Sequence, residues 1–170
     1  MVSEEKEERE KKTASCPIVK KKKSKTKKKK SQNLPDDTHF IWPVERSKCW
    51  ISSLFGHRKQ TNSFHYGVDM AAFKGTPVKA AQNGIITEAR LSRGYGNTIL
   101  INHDKKYKTR YAHLDKILVT VGQKVNQGDL IGKVGATGNV RASNGGDPSH
   151  LHFEIYSFGT RVNPLNLLKK

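Results

Sequence analysis

From residue 39 onward, apolar positions either alternate with polar ones or gather in short runs of branched residues. Turn formers interrupt them at roughly 8–12-residue spacing, the rhythm of short strands. The pattern predicts strands at 41–44, 77–81, 84–91, 98–103, 107–114, 116–120, 130–134 and 150–156. Between them lie Lys74-Gly75-Thr76, Gln82-Asn83-Gly84, Gly94-Tyr95-Gly96-Asn97 and Asn126-Gln127-Gly128, residues that accept the positive φ of tight β connections. No stretch carries a sustained 3.6-residue apolar period. The expected fold is all-β: one antiparallel sheet domain over 39–170.

Residues 1–38 differ in kind. They hold 13 Lys/Arg and 7 Asp/Glu and almost no large apolar side chains. Glu4 to Lys12 offers i,i+4 ion pairs but no face to bury. Lys20 to Lys30 places nine lysines in eleven positions, a self-repelling run expected to be a disordered, basic tail. The whole chain of 170 residues has a formal charge of +17, which points to an anionic partner. An anionic cell-envelope polymer or lipid surface fits the tail. Nucleic acid is disfavoured, because no aromatic residue interleaves with the lysines and no nucleic-acid-binding motif is present. No apolar run is long enough to span a bilayer as a helix, and no apolar leader core follows the charged first residues. Cys16 and Cys49 make no CxxC pair or disulfide framework.

The chemistry is concentrated in histidines. His65 and Asp69 flank Gly67, so a bent segment can turn both toward one point. His113 closes one predicted strand. His150-Leu151-His152-Phe153-Glu154 opens another, and period-2 geometry puts His150 and His152 on one face with Leu151 and Phe153 packed behind. A His–Asp–His set leaves a fourth tetrahedral position open for water, the pattern of a catalytic zinc. Glu154 reads as a polar contact rather than a ligand. His39, His57 and His103 lack partner patterns and are expected at the surface.

Together these stretches resemble the lysostaphin/LytM-type zinc metallopeptidases, which have the duplicated hybrid motif fold and cleave peptide bridges of peptidoglycan. The resemblance covers His39 to about Leu168. It rests on Phe40-Ile41-Trp42-Pro43-Val44, Phe55-Gly56-His57-Arg58, His65-Tyr66-Gly67-Val68-Asp69, Tyr111-Ala112-His113-Leu114, Gly135-Ala136-Thr137-Gly138, the HLHFE stretch and Arg161-Val162-Asn163-Pro164. It implies one Zn²⁺ per chain on His65, Asp69 and His152, with His113 and His150 as catalytic histidines. It further implies a groove over the sheet bordered by 56–64, 91–97 and 140–149, and a place in the cell envelope, periplasmic or extracellular; separately, a monomer is expected. Where the lysostaphin subgroup has an assisting tyrosine before its first ligand histidine, this chain has Arg58, Lys59 and Gln60.

The implied activity is hydrolysis of a peptidoglycan cross-link, with a D-Ala–diamino acid bond favoured over Gly–Gly. The alternative is an inactive relative that activates another wall hydrolase, a class marked by broken ligand sets. A biotinyl- or lipoyl-type carrier is weakly suggested by Val121 to Gly135, but no modifiable lysine turn accompanies it.

Overall fold

The structure, a computed structural model, describes residues 40–59, 61–140 and 146–169. The expected disordered tail over 1–38, with Cys16, lies outside these residues, as does His39. Among the described residues thirteen strands form: β1 (Trp50–Ser53), β2 (Gly56–Arg58), β3 (Ser63–His65), β4 (Val68–Ala71), β5 (Pro77–Lys79), β6 (Gly84–Ser92) and β7 (Gly96–Asn102). β8 (Tyr107–Leu114), β9 (Lys116–Ile117), β10 (Lys124–Val125), β11 (Leu130–Lys133), β12 (His150–Ser157) and β13 (Thr160–Val162) follow. The remaining helical elements are single 3₁₀ turns at Arg46–Lys48 and Pro164–Asn166.

The all-β, antiparallel expectation holds, with the strands distributed over three sheets. The main sheet runs β1-β4-β12-β8-β7-β6-β10, with β13 also pairing β12, while β5-β11-β9 and β2-β3 form two smaller sheets. β12 is the branch point of this sheet, its eight residues serving three neighbours. Its first half pairs β4, its second half pairs β13, and β8 runs along its other edge.

The segment 41–44, expected as a strand, is not one. Its backbone makes only separate bonds beside β5, from Ile41 N–H to the Ala81 carbonyl and from Lys79 N–H to the Pro43 carbonyl. Pro43 has no N–H with which to extend a ladder.

Alternation along β12 and β8 separates core from cleft. Leu151, Phe153 and Ile155 point inward with Tyr111, Ile99 and Ile101, all fully buried. Each such side chain removed from water contributes about 1.5–3 kcal/mol. Tyr111 adds a polar anchor: its hydroxyl accepts the Ala81 N–H at 2.8 Å. His152 and Glu154 project from the opposite face of the same strand, and rigid packing beneath holds them in place.

Candidate metal centre

His65 ends β3, and Tyr66-Gly67 turn the chain into β4, where Asp69 lies opposite His152 in the β4–β12 register. The turn requires glycine. A Cβ at Gly67 would sit 2.5 Å from the Phe153 carbonyl oxygen and 2.8 Å from His152 Cε1. The result is a close triangle of polar atoms. His65 Nε2 lies 3.0 Å from Asp69 Oδ1 and 3.1 Å from His152 Nδ1, and His152 Nδ1 lies 2.7 Å from Asp69 Oδ1.

Hydrogen-bond accounting shows what this triangle can take. The Nδ1–H of His65 donates to the Leu54 carbonyl at 2.7 Å, and the Nε2–H of His152 donates to Glu154 Oε1 at 3.2 Å. In the neutral rings, therefore, two nitrogen lone pairs face one carboxylate oxygen, and only added protons or a cation can reconcile them. Two imidazoles and a carboxylate whose outward N–H groups are pinned by a carbonyl and a carboxylate fit a zinc ion. Among the described residues these three form the group able to hold a metal.

The electrostatics agree. Burial raises the Asp69 carboxyl, but hydrogen bonds to His152 and His65 outweigh this and hold it well below the carboxylate range. Burial lowers His152, yet its contacts with Asp69 and Glu154 raise it overall.

Glu154 is fully buried. Besides the His152 N–H it accepts the Tyr95 hydroxyl at 2.9 Å, the Tyr156 hydroxyl and Arg161 Nε at 3.3 Å, with Arg110 Nε 3.6 Å away. Burial pushes its carboxyl up, but His152 and Tyr156 lead the contacts that bring it down to about 2, so it stays ionised.

His113 and His150 complete the cleft, their ring centroids 4.9 Å apart. Each donates Nδ1–H to a backbone carbonyl: His113 to Thr137 at 2.8 Å, His150 to Pro148 at 2.9 Å. Their Nε2 atoms are thus left as acceptors in the neutral rings. His113 adopts φ 61°, a left-handed conformation that is costly for a non-glycine residue. A bond from its N–H to the Tyr95 carbonyl, 2.8 Å, helps hold it there. Behind this contact Gly138 packs so closely that a Cβ would meet Gly96 N at 2.4 Å. Burial pushes His113 down to about 4, against the opposing pull of the Thr137 carbonyl.

The cleft has a volume of about 790 Å³ and is lined by these histidines and Asp69 together with Arg58, Ser63, Tyr95 and Val140. Thus all five residues singled out in the sequence come together, and residues from all three expected bordering segments line the cleft. Residues 141–145 of the last segment lie outside those described.

Arg58 was not foreseen as a site residue. Its Nη2 donates to Asp69 Oδ2 at 2.9 Å and to Ser53 Oγ at 2.7 Å, and its Nε reaches the same hydroxyl at 3.1 Å. In the sequence it appeared only within the Phe55-Gly56-His57-Arg58 stretch of the resemblance and in place of the lysostaphin subgroup's assisting tyrosine, with no role attached. His103 departs from expectation in the other direction. It is packed edge-on against Phe40, with ring nitrogens on the Asn83 carbonyl and Thr109 Oγ1, rather than free at the surface.

This is an all-β protein with a candidate metal centre at the floor of a sheet cleft. The pattern of peptidase family M23 matches residues 63–164, and the chain belongs to that family. It is 40% identical over 129 residues, 73% of this chain, to peptidoglycan DD-endopeptidase ShyA of Vibrio cholerae. A zinc-containing peptidase from Vibrio cholerae superposes with TM-score 0.66 at 36% identity, over 74% of this chain and 39% of that one. The catalytic domain of lysostaphin from Staphylococcus simulans gives TM-score 0.61 at 33% identity, over 69% of this chain and 90% of that one. The chain spans 31%, 26% and 28% of the length of three curated relatives it matches.

Proposed function

We propose that this chain is a zinc-dependent metalloendopeptidase that hydrolyses peptide bonds in peptidoglycan cross-links within the cell envelope. His65, Asp69 and His152 hold one Zn²⁺, while His113 and His150 move protons. The observation that carries this reading is the convergence of His65 Nε2, Asp69 Oδ1 and His152 Nδ1 within 3.1 Å, beside two further imidazoles in one cleft. The similarity to ShyA, a peptidoglycan DD-endopeptidase, and to lysostaphin, an antimicrobial peptidase, supports the substrate class.

Zinc in this position supplies Lewis acidity to the scissile carbonyl and lowers the pKa of a water. The chain's own residues do the rest. Asp69 and the two ligand imidazoles are held by hydrogen bonds to Arg58, Leu54 and Glu154, so the donor set needs little reorganisation. His113 is neutral at neutral pH, with Nε2 free to accept a proton from the attacking water. His150, its Nδ1–H fixed on Pro148, presents a second Nε2 to the cleft. As the amide C–N bond breaks and the C–O bond to water forms, the abstracted proton passes to the leaving amine. With water's second proton also ending on the leaving nitrogen, the products are one carboxylate and one ammonium group.

The test is digestion of purified peptidoglycan by the full chain with zinc, with chelator, and as His113→Ala, the released muropeptides being weighed by mass spectrometry. Cleavage that needs both zinc and His113 is expected, and the fragment masses name the bond. Tight one-to-one zinc binding without cleavage of any wall preparation would overturn the peptidase reading in favour of an activator.

A further inference from the structure

Arg58 is over-equipped for a residue that only steadies Asp69. Its guanidinium has five N–H groups. Nε–H and one Nη2–H go to Ser53 Oγ, and the other Nη2–H goes to Asp69 Oδ2. Both N–H groups of Nη1 bond none of the described residues. The side chain is 38% exposed and lines the cleft, so that edge is open to a ligand. The hydroxyl of Ser53 fixes the guanidinium plane in advance, which lowers the ordering cost of binding.

Its distance from the reaction centre limits what it can read. Asp69 bridges the two, with Oδ1 in the metal triangle and Oδ2 on Arg58. A peptide whose scissile carbonyl lies at the triangle has its next α-carbon about 3.8 Å from the preceding one. On the acyl side of that bond the α-carboxyl is consumed in the amide. On the leaving side it is free whenever the residue is chain-terminal or joined only through its amine.

We propose that Arg58 forms a carboxylate subsite. The preferred substrates are then peptides whose leaving residue carries a free α-carboxylate: D-Ala joined to a diamino dicarboxylic acid, or a terminal D-Ala–D-Ala. A glycine bridge, or a cross-link through a side-chain amine remote from any carboxylate, lacks the matching group. This rests on the peptidase reading of the same cleft. Fork-shaped donors recognise carboxylates in a fixed geometry, which a lysine does not reproduce.

The test uses the zinc-loaded full chain and an acylated D-Ala–D-Ala peptide, as free acid and as C-terminal amide. Cleavage is followed by chromatography, and binding by calorimetry on His113→Ala. The free acid is expected to be cut and bound at least about tenfold better, in line with a charged hydrogen bond. Arg58→Gln should reduce that preference to under about threefold, Arg58→Lys should restore part of it, and Arg93→Gln, on the exposed loop lining the same cleft, should leave it intact. A structural role for Arg58 alone would slow both peptides equally and keep their ratio, and that result overturns the subsite. So does equal binding of acid and amide, or binding of neither. Preferential binding of the acid with no cleavage of either keeps the subsite and removes the peptidase reading instead.

Discussion

His113 illustrates how much a single residue can carry. It is buried, left-handed, and held as a neutral ring by burial that lowers it to about 4 from 6.5. In the unfolded chain it takes up a proton near pH 6.5, whereas in the fold it does so only near 4. Unfolding therefore binds a proton between these values, and the fold loses stability as pH falls through that window. His113→Asn should remove this term: between pH 7 and pH 4 the metal-free variant gains on the order of 3 kcal/mol relative to wild type, read by urea unfolding at both pH values. Gly67 is the second such position. Gly67→Ala forces a methyl against the Phe153 carbonyl and the His152 ring, at 2.5 and 2.8 Å. A loss of roughly 1–3 kcal/mol is expected, with weaker zinc binding in chelator competition.

Among the elements, β12 does the most, and it was also the most legible. The alternation His150-Leu151-His152-Phe153-Glu154 assigned both faces of the strand before any coordinates, because period-2 geometry leaves no other arrangement. β1 to β4 were not foreseen. They are three or four residues long and broken by the Gly67 turn, too short for alternation to emerge. Nor does a sequence reveal partners distant along the chain. Arg58 on β2 meets Asp69 on β4, a strand of another sheet, and Tyr95, in the turn before β7, meets Glu154 from 59 positions away. These contacts make Glu154 testable as a positioning residue. Glu154→Gln keeps the shape but leaves Arg161 without its carboxylate and Arg110 with Glu88 alone. Stability should fall by about 3 kcal/mol, and zinc affinity by roughly 10- to 100-fold in chelator titration.

At the scale of the whole molecule, two quantities are expected to respond to solution conditions. Zinc at a hundredfold excess over its dissociation constant should add about 2.7 kcal/mol to the unfolding free energy, and chelation should remove it, as measured by thermal melts. With a formal charge of +17, retention on an anionic wall polymer should weaken steadily from low salt to several hundred millimolar, in a sedimentation assay. The ligand triangle also has a consequence for how the protein is made. His65 and Asp69 leave the ribosome before His152, which follows 83 residues after Asp69 on β12. A nascent chain therefore holds only two of the three donors while the 83 residues that separate Asp69 from His152 are made. Any hydrolytic capacity this centre has arises only once translation has passed β12, so stalled or truncated products are born without it.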